Sequence, residues 1–362
     1  MKNRLLIILL FLFSIISIIT IYSSTSILPS YYKNIYIKQL IWYIIGFILL
    51  FIIYKQKKGF FYKIDKPLYI ITNILLVIVL IFGEKTNGSK AWFEIAGIGS
   101  FQPSEFMKIV LIIIISNTII KLKKRHFKEN LLCIIKCIIL TLIPSILTFL
   151  EPDTGNVIIY IIILISIILI HGINYKYLLI FSIILILTTT SIFLLIKYDK
   201  LNMIDLFGKN IFYRLERIVD WKNGTGMQLE NALASIGSTK ENGYGIGNIP
   251  IYVPEAHTDF IMTVFISTFG YKLTILFIIL MIIFDILIIS IGLKLNNKDK
   301  YIITGTISII IFQQIQNIGM NIGLFPITGI TLPFISYGGS SLITYIVLIG
   351  IILNMNKKKE FK

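Results

Sequence analysis

YVPEAHTDFIMTVFISTFGYKLTILFIILMIIFDILIISIG, residues 252–292, joins a polar run to a long apolar one, and its reading decides both the fold and the place of the chemistry. A membrane-crossing helix needs roughly 20 apolar residues, because hydrocarbon offers the backbone no hydrogen-bond partners. The segment 261–292 exceeds that length. Just before it, Glu255, His257 and Asp259 stand where the polar run re-enters apolar sequence. An ionisable residue at such a boundary costs free energy unless it faces water, protein or a polar ligand. Asp259 is therefore the leading catalytic candidate.

Further along the chain the same pattern recurs. Apolar residues make up 56% of the 362, with a mean hydropathy of +0.87, and the excess lies in Ile/Leu/Phe blocks rather than in an amphipathic period. Ten spans are expected, at about 5–22, 39–54, 68–83, 104–120, 132–150, 157–170, 177–196, 261–292, 302–320 and 340–354. The fold class is all-α: one polytopic membrane domain over 1–362, with a large extracellular loop, 197–258, between helices 7 and 8. The start, MKNR before an apolar run, looks like a signal peptide, but with nine more spans and no small-x-small cleavage site an uncleaved first helix is expected.

Lys and Arg set the orientation. The N-terminus, 55–67, 121–131, 171–176, 293–300 and the C-terminus together hold 20 of them, whereas the short loops on the other side hold only Lys33, Lys38, Lys85 and Lys90. Both termini are thus expected in the cytoplasm, in a multi-pass protein of the bacterial cytoplasmic membrane. The net charge of +16 falls on those inner loops, where topology and anionic lipid explain it, so no nucleic-acid partner is expected. Cys133 and Cys137, with no other cysteine, make neither a disulfide framework nor a zinc site.

The outer segments are unusually polar. The loop 197–258 carries seven basic and seven acidic residues before Asp259, so anion recognition there needs individually placed cations such as Arg214 or Arg217. NGSKAWFEIAGIGSFQPSEFMK (87–108) enters the fourth span through Pro103, which suits the first turn of a helix. EPDTGN (151–156) puts Asp153 between two spans, where capping the next helix competes with lining a cavity. Gln313, Gln314, Gln316, Asn317 and Asn321 are too many amides for a lipid-facing surface; they line a cavity or bond neighbouring helices. A polar cavity in the outer half is expected, lined by Gln313, Gln316 and Asn317.

NGSKAW, FQPSEFMK, EPDTG, QLENALASIGS, YVPEAHTDF and NIGMNIGLFPITGITLPFISYGGSS, in this order and spacing from about Tyr22 to Ile349, resemble the SEDS family that contains FtsW, RodA and SpoVE. The resemblance implies a ten-span peptidoglycan glycosyltransferase that polymerises lipid II on the outer face, in elongation, division or sporulation, with a class B penicillin-binding transpeptidase as partner. The essential aspartate of the family's HTDF motif falls on Asp259. Two stretches depart from the family pattern: TKENGYG (239–245) replaces a Gly-Gly-hydrophobic stretch, and Ser267, Thr268, Phe269 and Gly270 stand where many members carry Glu-Glu-hydrophobic-Gly. The missing acids point to altered cation use or reduced activity.

For such a substrate the pyrophosphate leaving group needs charge neutralisation, while the acceptor hydroxyl needs a base; Asp259 fits the base. Lys108 is the first choice for the pyrophosphate and Arg214 or Arg217 the second, each against an alternative as a local ion pair. A divalent cation, Mg2+ or Mn2+, shared by Asp259, Glu255 or Asp153 and the phosphates is a further expectation. Glu255 orients the loop or helps hold that cation, His257 is read as a hydrogen-bonded structural residue before an acid or base, and Glu105 favours the helix dipole. A lipid II flippase and a non-catalytic scaffold for a transpeptidase are the competing classes.

Overall fold

The computed structural model describes residues 2–86, 89–95, 99–120, 127–171, 221 and 226–357. Its helices are α1 (Lys2–Ser24), α2 (Ile35–Lys55), α3 (Phe60–Lys63), α4 (Asp65–Phe82), α5 (Pro103–Ile119), α6 (Phe127–Leu150), α7 (Thr154–His171), α8 (Met227–Gly237), α9 (Ile261–Gly292), α10 (Asn297–Asn321) and α11 (Gly339–Met355). The two shortest of the long apolar helices are central. Every residue of α5 is buried except Phe106 and Asn117, and every residue of α11 except Ser341 and Val347. A helix apolar on all sides belongs in a core. Around this pair, α2 packs on α11, α4 and α7 on α5, α10 on α7, and α9 against α1 and α10.

The peripheral helices turn large apolar side chains outward, among them Ile8 and Phe11 on α1, Phe51 on α2, Ile81 on α4, Leu142 on α6 and Ile275 on α9. Exposed apolar surface on this scale is untenable in water and is what a hydrocarbon solvent selects. Seven of the described helices are long and apolar enough to cross a membrane. The chain is a multi-pass membrane protein.

Each expected span within the described residues coincides with a helix to within five residues at either end. The seventh, 177–196, lies outside them, as do Arg214 and Arg217. One local expectation needs correcting: within the helical fold, the segment 84–103 after the third span is not merely a short outer loop. It forms a three-stranded antiparallel sheet, β1 (Glu84–Thr86), β2 (Ser89–Ile95) and β3 (Gly99–Phe101), in the order β1-β2-β3. Asn87-Gly88 between β1 and β2 is a strong short-range hairpin signal, because both residue types accept the positive φ that a two-residue turn demands. Stacked rings of Phe93, Phe101 and Phe106 tie the sheet to the first turn of α5.

Candidate active site

Three consecutive carbonyls in the turn that carries Asp259 are each held by a group from elsewhere in the chain. The Tyr337 N–H donates to His257 O at 2.8 Å, Ser336 Oγ to Thr258 O at 2.6 Å, and the Asn317 and Asn321 amides to Asp259 O at 2.8 and 2.9 Å. Asn321 Oδ1 in turn accepts from Thr263 N (2.9 Å) and Thr263 Oγ1 (2.7 Å), which fixes the first turn of α9 to the same amide. Glu255 begins the turn with φ +53, a conformation unusual for a residue with a Cβ, and its carbonyl receives the Thr258 and Phe260 N–H groups. The carbonyl of Asp259 is thus held twice, while the residue is only half-buried. Gly329 faces it: a Cβ there would lie 3.6 Å from Asp259 Oδ2, and φ +71 disfavours any larger residue.

Asp153 sits beyond the same segment. Its Oδ1 accepts from Asn156 N at 3.1 Å, which makes it the N-cap of α7, and its Oδ2 accepts from Gln102 Nε2 and Asn156 Nδ2 at 2.8 Å each and Ser104 Oγ at 3.3 Å. The N-terminus of α7 abuts the segment facing Asp259, since a Cβ on Gly155 would meet Ile330 at 3.2 Å and Thr328 O at 3.4 Å. Of the two readings of Asp153, capping is the one realised. Beside it stands a residue that the sequence reading missed. Glu151 is 0% exposed, both carboxyl oxygens lack a hydrogen-bond partner, and burial, reinforced by Asp153, pushes its carboxyl up to about 9.

The expected pyrophosphate ligand Lys108 is enclosed. It is 0% exposed, its Nζ lies 2.7 Å from Glu105 Oε1, and Tyr345 Oη is 3.4 Å away. Lys108 and Glu105 share a face at i,i+3 spacing, so the ion-pair alternative is the one adopted in this conformation. The amides expected to line a cavity are likewise satisfied by the protein. Gln313 accepts from Tyr345 Oη, Gln316 Nε2 reaches Pro326 O (3.0 Å) and Thr328 Oγ1 (3.1 Å), and Asn317 also binds Ile330 O (2.8 Å). They bond neighbouring segments, because a primary amide buried in an apolar bundle gains more by pairing with backbone than by facing a void.

His257 is buried between the rings of Tyr32 and Tyr337, with centroids at 4.6 and 5.6 Å, and its Nδ1 has no hydrogen-bond partner. Burial lowers its pKa, with Glu255 opposing, so the neutral ring is favoured, packed at a tilt against both tyrosines. Glu255 Oε2 accepts from Thr258 Oγ1 at 3.2 Å. Among the described residues no three His, Cys, Asp or Glu come together as a metal site. A divalent ion here would rest on one or two carboxylates and on substrate phosphates, as Mg2+ commonly does.

The two departures from the family pattern meet. At Gly270 (φ 74, ψ 179) α9 kinks, and the carbonyls of Ser267 and Thr268 receive the N–H groups of Tyr244 (2.8 Å) and Gly245 (3.1 Å) from the 239–245 stretch. A Cβ on Gly270 would collide with Glu241 O, and one on Gly243 with Thr268 O. Ser267 Oγ pairs with Ser235 Oγ at 2.9 Å and Thr268 Oγ1 with Ser23 Oγ at 2.7 Å, all four buried. Hydroxyls thus occupy a closed contact where a carboxylate would be desolvated.

A multi-pass helical bundle with a clamped aspartate at the point where a polar loop re-enters it is the class defined by this fold and site. A family profile described as cell cycle protein matches residues 3–361, and the chain belongs to that FtsW/RodA/SpoVE family. It is 34% identical to the probable peptidoglycan glycosyltransferase FtsW of Wigglesworthia glossinidia brevipalpis, over 97% of this chain and 92% of that one. It is 32% identical to the protein of the same name from Bacillus subtilis, over 82% and 76%. Its fold matches a chain of a peptidoglycan synthase complex that coordinates polymerization and crosslinking (TM-score 0.79, 22% identity, 97% and 96% covered). It also matches the rod shape determining protein RodA of Thermus thermophilus (TM-score 0.69, 22% identity, 99% and 97% covered).

Proposed function

We propose that this chain is a peptidoglycan glycosyltransferase that polymerises lipid II, with Asp259 as general base. The observation that carries the reading is the clamp on residues 257–259, in which four donors fix the backbone beneath a half-buried carboxylate whose Oδ2 is faced by Gly329. Catalysis by proton transfer requires a base held in place before the substrate arrives. Asp259 takes the proton of the acceptor sugar hydroxyl as that oxygen bonds the anomeric carbon of the donor. The bond from that carbon to the pyrophosphate oxygen breaks, and its electron pair leaves on the lipid pyrophosphate.

The leaving group needs positive charge. With Lys108 enclosed, Arg214 and Arg217 are the side chains assigned to it, and Asp259 or Glu255 together with the phosphates would hold a Mg2+ or Mn2+ ion that supplies charge neutralisation. The site end faces the outside of the cytoplasmic membrane, with both termini in the cytoplasm and ten spans in all, as the Lys and Arg distribution implies. A class B penicillin-binding protein is the partner. This rests on the family resemblance and on the synthase complex that the fold matches.

A flippase is the second reading, favoured by ionisable groups deep in the bundle: the Glu105–Lys108 pair, and Asp285 with Gln314 at 3.4 Å. Purified full-length protein, lipid II and a class B penicillin-binding protein are expected to yield glycan polymer, lost in Asp259→Asn. Movement of labelled lipid II across vesicles without polymer would support the flippase, and neither activity would leave the scaffold.

A further inference from the structure

The turn that clamps the backbone before Asp259 is itself clamped by two further helices, α1 and α2. Phe334, Ile335 and Ser336 again present three consecutive carbonyls. Tyr43 Oη donates to Phe334 O, Ser17 Oγ to Ile335 O at 2.7 Å, and Gln39 Nε2 to Ser336 O at 3.2 Å. Gln39 Nε2 also reaches Ser17 Oγ at 3.2 Å, and its Oε1 accepts from Gly338 N at 3.4 Å, so one amide uses both its ends on this turn and its support. Gln39 and Tyr43 are four residues apart on α2 and share a face; Phe13 and Ser17 do the same on α1. Phe13 stacks on the ring of Phe334 with centroids 6.2 Å apart.

The turn needs this support. Phe334 has φ +67, a region that a residue with a large side chain leaves unless its surroundings hold it. Ser336 Oγ accepts from Leu332 N at 2.8 Å and donates to Thr258 O, and Tyr337 N donates to His257 O. Two layers of hydrogen bonds therefore run in series, from α1 and α2 to the 334–338 turn, and from that turn to the backbone of the two residues before Asp259. Ser17, Gln39 and Ser336 are buried, where an amide or hydroxyl left without its partner is costly.

We propose that Gln39, with Ser17 and Tyr43, is a positioning residue for Asp259, acting through the 334–338 turn. The proposal rests on the reading of Asp259 as base. Because the linkage ends on main-chain carbonyls, losing it displaces the carboxylate without altering its chemistry or the binding of lipid II. A misplacement of about 1 Å at a reacting group can cost on the order of 10²-fold in rate.

The test uses full-length protein with lipid II and a class B penicillin-binding protein, comparing Gln39→Leu and the gentler Tyr43→Phe with wild type. Expected is a fall in kcat per folded molecule, about 10²-fold for Gln39→Leu and about tenfold for Tyr43→Phe, with KM for lipid II within about twofold, while Tm falls in Gln39→Leu, whose buried partners lose their amide, and less in Tyr43→Phe. Amide hydrogen exchange at Tyr337 and Gly338 should quicken in both. Faster exchange with unchanged kcat would overturn the proposal, as would a loss of turnover that disappears once counted per folded molecule, or unchanged exchange in both variants. If Gln39→Leu fails to fold, Tyr43→Phe, which removes one hydroxyl, carries the same test. Asp259→Asn run alongside separates the two claims: if it retains turnover the base reading falls, whereas its inactivity beside fully active Gln39 and Tyr43 variants defeats the positioning claim alone.

Discussion

Two aspartates flank the 328–330 segment, and each is set in place by different contacts. At Asp259 amides and a hydroxyl from remote segments bind the backbone of the turn, and the half-buried side chain has Gly329 facing its Oδ2. At Asp153 the surroundings bind the carboxylate itself, through Gln102, Ser104 and both the backbone and side chain of Asn156. A catalytic base needs a main chain fixed before the substrate arrives, which the bonds to the 257–259 carbonyls provide. A capping residue needs its side chain engaged with the helix N-terminus, as Asp153 is. Proximity to the site therefore does not by itself assign the role.

The comparison breaks most directly at Asp259. Asp259→Asn is expected to lower polymerisation about 10²–10⁴-fold while insertion and partner binding persist. Near-normal glycan synthesis by that variant would remove Asp259 from the mechanism.

Next in size is the enclosed pair. Lys108→Met leaves Glu105 buried without its cation, which typically costs about 3–5 kcal/mol, and Tm should fall steeply. Lys108→Met with Glu105→Gln should recover most of the loss in Tm and in polymerisation. A double variant that folds as wild type yet neither binds lipid II nor polymerises it would return Lys108 to the phosphate.

Glu151 sharpens the contrast through pH. Its carboxyl titrates near 4.5 in an unfolded chain and at about 9 in the folded protein. Between those values the folded state keeps a proton that the unfolded state releases, so stability falls as pH rises across that window. Glu151→Gln removes the difference, and its Tm should exceed that of wild type by a margin that widens from pH 5 to pH 9. Parallel Tm curves for the two proteins would show that Glu151 is not neutral when folded.

The membrane fold is legible in the sequence because a span is a local property: about 20 apolar residues announce a helix whatever surrounds it. Asp259 is legible for a similar reason, as the charge nearest a polar-to-apolar junction. Pairing across the chain is not local. Gln313, Gln316 and Asn317 read equally well as cavity lining and as bonds to neighbours, and only the positions of Tyr345, Pro326 and Ile330 decide. Lys108 is intermediate, since its i,i+3 spacing from Glu105 already contains the pair that was realised. Ser17, Gln39 and Tyr43 carry no signal of their own, since Ser14 and Thr20 on α1 and Lys38 on α2 are polar too and nothing local marks out the three that bind the turn. The hairpin is legible in Asn87-Gly88, a local turn signal, but the short flanking segments 84–86 and 89–95 are too brief for alternation to announce strands by itself.

The smallest expected effect tests the comparison most finely, by making one change at both aspartates. Asp153→Asn preserves shape and an oxygen able to accept from Asn156 N, and gives up a negative charge at the N-terminus of α7, worth about 0.3–1 kcal/mol. Its half-buried carboxylate allows water to take over the donors from Gln102 and Ser104, so the loss stays near that range. Asp153→Ala, which removes the cap entirely, should cost about 0.5–2 kcal/mol. If Asp153 is a cap, turnover per folded molecule stays within about twofold of wild type in both variants, beside the loss of at least about 10²-fold in Asp259→Asn. If it holds substrate or a shared cation, Asp153→Asn raises KM for lipid II or the Mg2+ requirement while Tm barely moves. Melting curves and steady-state kinetics on the same preparations distinguish the two, and a KM rise without a Tm change would place both aspartates in the site.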